Sequence, residues 1–417
     1  MRLTSGGNGL ARTAALLLRG ALTAAAVFVC QPLIVLAPAY AMSTVEFLGT
    51  LSDSEATNFQ EWKAARRAYE EKLDVYWDAV DAKRQARKKK RAAKTPFDAD
   101  DYVMSFPPQY AGPKLGESLA KKYEAFKADQ EKSQPTPPKQ LSVVADYLAA
   151  AKRVYNFVPE RLTEQEFKRR YADESVRLGL SKDQVVRVYA LETGGYGTYD
   201  MQAGIHPIKK TGRAISSALG YAQLLDANSV NELSKSGDVF IERLQQKARS
   251  PNLTAERLAA LKSKISVVRK MYAAAKRVPF EWEAHQAYAK TLEGMAPHTL
   301  NIDGDVGPVL QAMKLRSIKD IAAKAGRPNL AGAELEAMNL AGPVTGLEMM
   351  QPAGQKAPVT NFFARRAYYV NKMVIGLTGE QLLAELDRRM TESVKTPGSV
   401  EFAAAFDSVL LARSAGR

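Results

Sequence analysis

At 417 residues the chain is long enough for one large or two moderate domains, and its 46% hydrophobic residues suffice for a packed core. Lys and Arg outnumber Asp and Glu by 59 to 45, a formal charge of +14, which points to anionic surroundings. The single cysteine excludes an internal disulfide, and no phosphate-binding glycine motif or serine-nucleophile motif is present.

The first element in chain order is an export signal. Arg2, Arg12 and Arg19 precede an apolar run from Gly20 to Ala37, and Ala39-Tyr40-Ala41 has the small-x-small pattern of a cleavage site, so residues 1–41 read as a signal peptide with Met42 as the new first residue. The competing reading is an uncleaved anchor, because the run approaches the minimum spanning length of about 17 residues. Cys30 lies in this run, after a Val29 too bulky for a lipoprotein site. Cleavage removes three arginines and no acidic residue, so +14 becomes +11. An exported basic chain is drawn to the anionic envelope surface rather than to nucleic acid.

Residues 52–94 read as one long helix, with Phe59, Trp62, Tyr69, Leu73, Tyr76 and Val80 at three- and four-residue spacing and the basic run KRQARKKKRAAK (83–94) at its end. That run reads as a solvated helix end or an electrostatic anchor. After FPPQYAGPKLG breaks the pattern, a helix over 116–131 leads to SQPTPPK (133–139), a proline-rich linker that closes a basic N-terminal region, 42–139. Helices follow over 141–154, 163–178, 181–193, 216–226, 229–248, 254–276 and 280–293, then near 306–326 and 378–392, with NLAGPVTG and MMQPAGQKAPVTNFF as loops and 396–417 as a tail. No alternating run marks a strand, and the predicted fold class is mainly α.

The chemistry centres on SKDQVVRVYALETGGYGTYD (181–200). Ser181 and Gln184 form a capping-box start and Gly194-Gly195 a stop. Val185, Val188 and Tyr189 make an apolar stripe on which Glu192 takes the i+7 position, in the last turn. The negative end of the helix dipole and the apolar surroundings both disfavour the charged carboxylate, leaving a group suited to general-acid work, above all glycoside cleavage. The alternative is a glutamate that only caps the helix or pairs with a nearby cation. In SSALGYAQLL (216–225), Ser216 is read as the cap of a helix whose apolar face carries the amide of Gln223, either a sugar ligand or a satisfied buried amide.

Together these motifs resemble the lytic transglycosylases of the lysozyme-like superfamily. In that family a helix ends in a catalytic Glu followed by Ser or Thr, matched by Glu192-Thr193, and a later Gly-x-x-Gln element lines the sugar cleft, matched by Gly220-Tyr221-Ala222-Gln223. LNIDGDVGPVL (300–310) is similar to the family's Asn-Ile-x-x-Gly-x-x-x-Leu element. The resemblance covers roughly residues 180–312. It departs in the long spacing between the first two motifs, in the helices of 229–293, which read as an insertion, and in the Ala-Tyr-Asn element, for which RAYYVN (366–371) with Tyr368 is the loose candidate.

The resemblance implies a lysozyme-like helical catalytic domain (140–395) with additional helices, acting on peptidoglycan glycan strands without a cofactor. Glu192 would be the single acid and base that forms 1,6-anhydromuramyl products, with Gly220, Tyr221, Gln223 and Tyr368 at the substrate. Two other outcomes stay open. A hydrolytic muramidase would need a second carboxylate, for which Asp200 and Asp226 are the neighbours in sequence, and a glycan-binding or scaffolding protein would keep the fold without turnover. His206, His285 and His298 lack metal-ligand spacing, and Asp303 and Asp305 belong to a turn rather than a calcium loop, so no metal is expected.

Overall fold

The computed structural model describes residues 42–132 and 141–415. The expected export signal and the proline-rich linker lie outside these residues. Among the described residues the chain is mainly helical and has no strand, only four isolated bridges.

Helices α1 (Thr44–Gly49), α2 (Asp53–Ala92) and α3 (Glu117–Lys132) come first. Ser52 caps α2 and its Glu55 returns the bond, the reciprocal arrangement that satisfies two free amides. The near half of α2 packs Phe59 against Phe47 and Leu119 in a small aromatic cluster. Its far half buries Leu73, Tyr76, Trp77 and Val80 in the main core, so residues 42–132 are not a separate appendage.

The basic run is largely structural. Arg87 is fully buried, pairs with Glu348, donates to the carbonyls of Asp101 and Asn361 at 2.8 Å, and lies over the Tyr102 ring. Arg91 shares Glu348, Lys90 pairs with Asp101, and Arg84 donates to the carbonyls of Thr360 and Phe363. A buried pair of this kind is strongly destabilising to break from one side, because the remaining charge is stranded.

The main body comprises α4 (Val144–Tyr155), α5 (Glu164–Arg177), α6 (Lys182–Thr193), α7 (Asp226–Ala248), α8 (Ala255–Lys276), α9 (Trp282–Tyr288), α10 (Leu292–Met295), α11 (Gly307–Lys324), α12 (Gly332–Ala341), α13 (Pro343–Met349), α14 (Pro352–Lys356), α15 (Arg365–Val370), α16 (Gly379–Ser393) and α17 (Pro397–Ala415). The central α11 contacts α5, α7, α12 and α13. On one side of it, α7 and α8 form an antiparallel pair with its own apolar cluster; on the other, α6 lies against α12, α16 and α17.

Three expectations need correction. Residues 216–226 are not a helix: Gly220 at φ +80° and Gln223 at φ +41° turn the chain back on itself, and Leu219 and Leu224 exchange backbone bonds of 2.9 and 3.0 Å. The regular apolar spacing there serves a two-sided buried turn rather than a helix face. The segment 396–417 is no tail, because α17 buries Phe402, Phe406 and Val409 against α5 and α6. The glycine-rich stretch around NLAGPVTG is the junction of two helices, α12 and α13, with Gly342 at φ +85° between them.

Within α7, Ser236 leaves helical geometry (φ −130°), and beside it Gly237 faces the Tyr272 ring of α8. A Cβ at Gly237 would sit 2.4 Å from that ring. Gly237→Ala is therefore expected to destabilise the fold by about 1–3 kcal/mol, measured by chemical denaturation, whereas Gly326→Ala, in open space but at φ +84°, is expected to cost about 1 kcal/mol from backbone strain.

Candidate functional site

Helix α6 begins as expected. The Ser181 hydroxyl accepts from the Gln184 amide at 3.2 Å, the Gln184 side chain accepts from the Ser181 amide at 3.1 Å, and Gly194 and Gly195 end the helix at φ +62° and +70°. Val185, Val188 and Tyr189 are buried in the main core and Glu192 is half-buried.

The face of Glu192 meets α12. There the Asn339 side-chain nitrogen donates to Glu192 Oε1 at 3.3 Å and stands 3.5 Å from each oxygen of Glu336. Glu336 is completely buried and faces Glu192 closely enough for the two carboxyls to influence each other's ionisation. Two carboxyls this close cannot both ionise without strong repulsion. Burial pushes Glu192 up to about 7, moderated by Glu336; burial and the charge of Glu192 push Glu336 well above the carboxylate range. Glu336 is thus the standing proton donor, and Glu192 is the member that titrates near neutrality.

Lys314 of α11 lies behind Glu336, its own proton weakened by burial and its charge felt by Glu336 and by Glu232. Glu336 was not legible as a site residue, but its spacing to Asn339, three residues on one helix, puts both on the same face.

The turn that carries Glu192 is braced from the C-terminus. The Thr396 hydroxyl, just before α17, lies 3.1 Å from the Gly195 carbonyl, and a Cβ on Gly195 would collide with Thr396 and Ser399. Beyond the two glycines, Tyr196 is 53% exposed and Ile208 and Ile215 project from the following loop.

The Gly220–Gln223 turn packs against α6 through Tyr221 and Tyr189, ring centroids 4.8 Å apart. Gly220 is required on two counts, its φ of +80° and the approach of Gln311, which a Cβ would meet at 2.7 Å. Gln311 Oε1 accepts from the Ala222 amide at 3.0 Å. The half-buried Gln223 donates to the Gly220 carbonyl at 2.7 Å, closing its own turn.

Tyr221 is not a surface for sugar. It has no exposed area, and its hydroxyl bonds Glu164, which also accepts from the Tyr199 amide at 3.1 Å. Glu164 is raised by burial, an effect these bonds only partly offset. Tyr368 is also a core residue, 2% exposed, accepting from the Gly376 amide at 2.9 Å and packed on Trp77 at 5.8 Å. The structure groups it with α2 and the 359–377 segment.

The other carboxylates near Glu192 in sequence are committed elsewhere. Asp200 pairs with Arg161 at 2.6 Å and Lys210 at 3.1 Å; burial raises it, but the Thr198 hydroxyl and these cations outweigh that and hold it below its ordinary value. Asp226 is buried between Ser217 and Lys290. His298 is buried between Ser229 and the Ser217 carbonyl, and burial lowers it to about 4; the His206 ring accepts from the Ile208 and Lys209 amides. Among the described residues no group of three or more His, Cys, Asp or Glu is placed to hold a metal ion, and no helix is long and apolar enough to cross a membrane.

Comparison with protein-family models, with curated proteins and with solved structures finds no match for this chain.

The paired carboxyls carry a consequence for stability. Glu192 binds its proton more tightly folded than unfolded, so its contribution is fully present below the unfolded value of about 4.5 and is lost as pH rises through about 7. Wild type is expected to lose about 1–3 kcal/mol over that window from this group. Glu192→Gln should flatten the loss, as urea denaturation at pH 4.5 and pH 8 would record.

Proposed function

We propose that this chain is an exported lytic transglycosylase that cleaves peptidoglycan with Glu192 as general acid and then base. The observation that carries the reading is the half-buried Glu192 at a helix end, its proton affinity raised by burial, held against Glu336 and Asn339 and followed by a glycine turn with an exposed aromatic. A general acid works best with a pKa near the working pH, and Glu192 has one near 7.

The reaction follows from that proton. Glu192 would deliver it to the glycosidic oxygen as the bond to C1 breaks. The resulting carboxylate would take the proton of the sugar's own C6 hydroxyl, whose oxygen closes on C1 to give the 1,6-anhydro product. The acid is regenerated and no water enters. Glu336, fully buried, cannot reach the sugar; it orients Glu192 and keeps the proton on the pair.

Support also comes from Asn339. It lies beside Glu192 and donates to it, where Tyr368, the candidate for the family's Ala-Tyr-Asn element, is a core residue of the segment that packs on α2. The muramidase alternative is weakened because Asp200 and Asp226 are both engaged in ion pairs. The burial of Tyr221 and Tyr368 removes both from the side chains available to a glycan.

Export belongs to the same proposal. The Met42 amide donates to Asp129 Oδ2 at 2.7 Å, so cleavage before Met42 would replace a neutral amide with an ammonium at that carboxylate. N-terminal sequencing of envelope protein should begin at Met42; recovery of residues 20–37 with the membrane fraction would replace cleavage with anchoring.

The decisive experiment is digestion of purified peptidoglycan. Products should have the anhydro mass, one water below those of a hydrolase, and Glu192→Gln should lower the rate at least about a hundredfold while retaining cell-wall sedimentation. Reducing-end products would assign a muramidase. Wall binding with no cleavage from pH 4 to 9 would leave a glycan-binding scaffold.

A further inference from the structure

A second concentration of charge lies away from Glu192. Between α5, α7 and α8 a cavity of about 540 Å³ is lined by six cationic side chains and only three carboxylates, Asp173, Glu174 and Asp305. That volume is within the range of small-ligand sites, roughly 300–1,000 Å³. The cations come from all three walls: Arg169 and Arg170 on α5, Arg243 and Lys247 on α7 with Arg249 just past its end, and Arg257 on α8.

The carboxylates do not balance them. Asp305, 1% exposed at its side chain, serves Arg170 at 3.1 Å, Arg257 and Lys264 at 2.6 Å and Lys247 at 3.6 Å. Including the ion-paired groups behind the walls, nine cations share six carboxylates. Arg249, exposed at the rim, makes no ion pair among the described residues.

A purely structural network would be expected to approach neutrality, since each unpaired cation held near others adds repulsion. Lys247 stands among these charges: burial weakens its proton, Asp305 and Glu174 oppose that, and Arg243 and Arg170 add to it. Arginine predominates among the lining cations, and its planar fork suits two oxygens of one tetrahedral anion.

We propose that this cavity binds a phosphate-class anion carrying at least two negative charges, such as a pyrophosphate or phosphate-ester group. The surplus of three cations sets the charge, and the three-walled arrangement favours an anion with oxygens in several directions. The site is independent of Glu192 and stands whether or not the chain cleaves glycan.

Isothermal titration of the protein from Met42 onward with pyrophosphate tests it at fixed ionic strength. Saturable binding is expected, weakened about tenfold or more in Arg249→Glu, a rim change that breaks no ion pair and should leave the melting temperature unchanged. Arg169→Gln, which removes a second lining charge, should also weaken binding. Vesicles of phosphatidylglycerol that displace pyrophosphate would identify the phosphate source as a lipid headgroup; failure to displace it would identify a soluble or polymer-borne phosphate. The proposal is overturned if pyrophosphate gives no saturable heat, if citrate binds as tightly, or if Arg249→Glu, folded as wild type, binds with unchanged affinity.

Discussion

Four helices and the Gly220 turn meet at one buried turn, residues 300–306. Its backbone lies in the interior, where free amides and carbonyls are costly, and several are answered by specific partners. One Asp303 oxygen accepts from the Asp305 and Val306 amides at 3.0 Å, starting α11; the other accepts from the Glu160 amide at 2.8 Å, and the Gly304 amide returns a bond to the Glu160 carbonyl. Asp305 ties α5, α8 and the end of α7 to the same point. A few residues on, Gln311 reaches across to the Gly220 turn. The DGD sequence is thus a buried turn rather than a surface one, the joint from which α11 and the Gly220 turn are both positioned.

A second constraint acts in the opposite sense. Packing Glu192 against Glu336 places two acids where an apolar pair would be more stable above neutral pH. Such a local conflict between folding and packing is the kind of expense that concentrates where chemistry is done. Asn339 softens it by donating toward both carboxyls, and Lys314 supplies a distant positive charge. The pair still retains a proton, and that is what distinguishes it from the many ion-paired carboxylates elsewhere in the chain.

Local signals in the sequence were enough for α2, α4 to α6 and α8, whose caps and apolar spacing agree with their tertiary burial to within a few residues. The orientation of Glu192 was legible for the same reason, since position along one helix determines its face. Its partner was not. Glu336 lies between Gly332 and Gly342 in a stretch whose glycines and prolines suggest a loop, and only the seam between α6 and α12 brings it to Glu192. Arg87 was hidden in a run of cations, where nothing local separates the one buried guanidinium from its solvated neighbours. The 216–226 turn was misread because its buried residues keep helical spacing while two positive-φ positions reverse the chain.

The brace on the glycine turn gives the site a position in time as well as in space. Gly195 and Thr396 are separated by 201 residues. Because a polypeptide emerges from its N-terminus onward, the loop after Glu192 lacks its support until some two hundred further residues have been made and α17 has docked on α5 and α6. A nascent chain therefore carries the acid long before it carries the finished turn. The set of that turn therefore depends on a contact that forms only once α17 has docked.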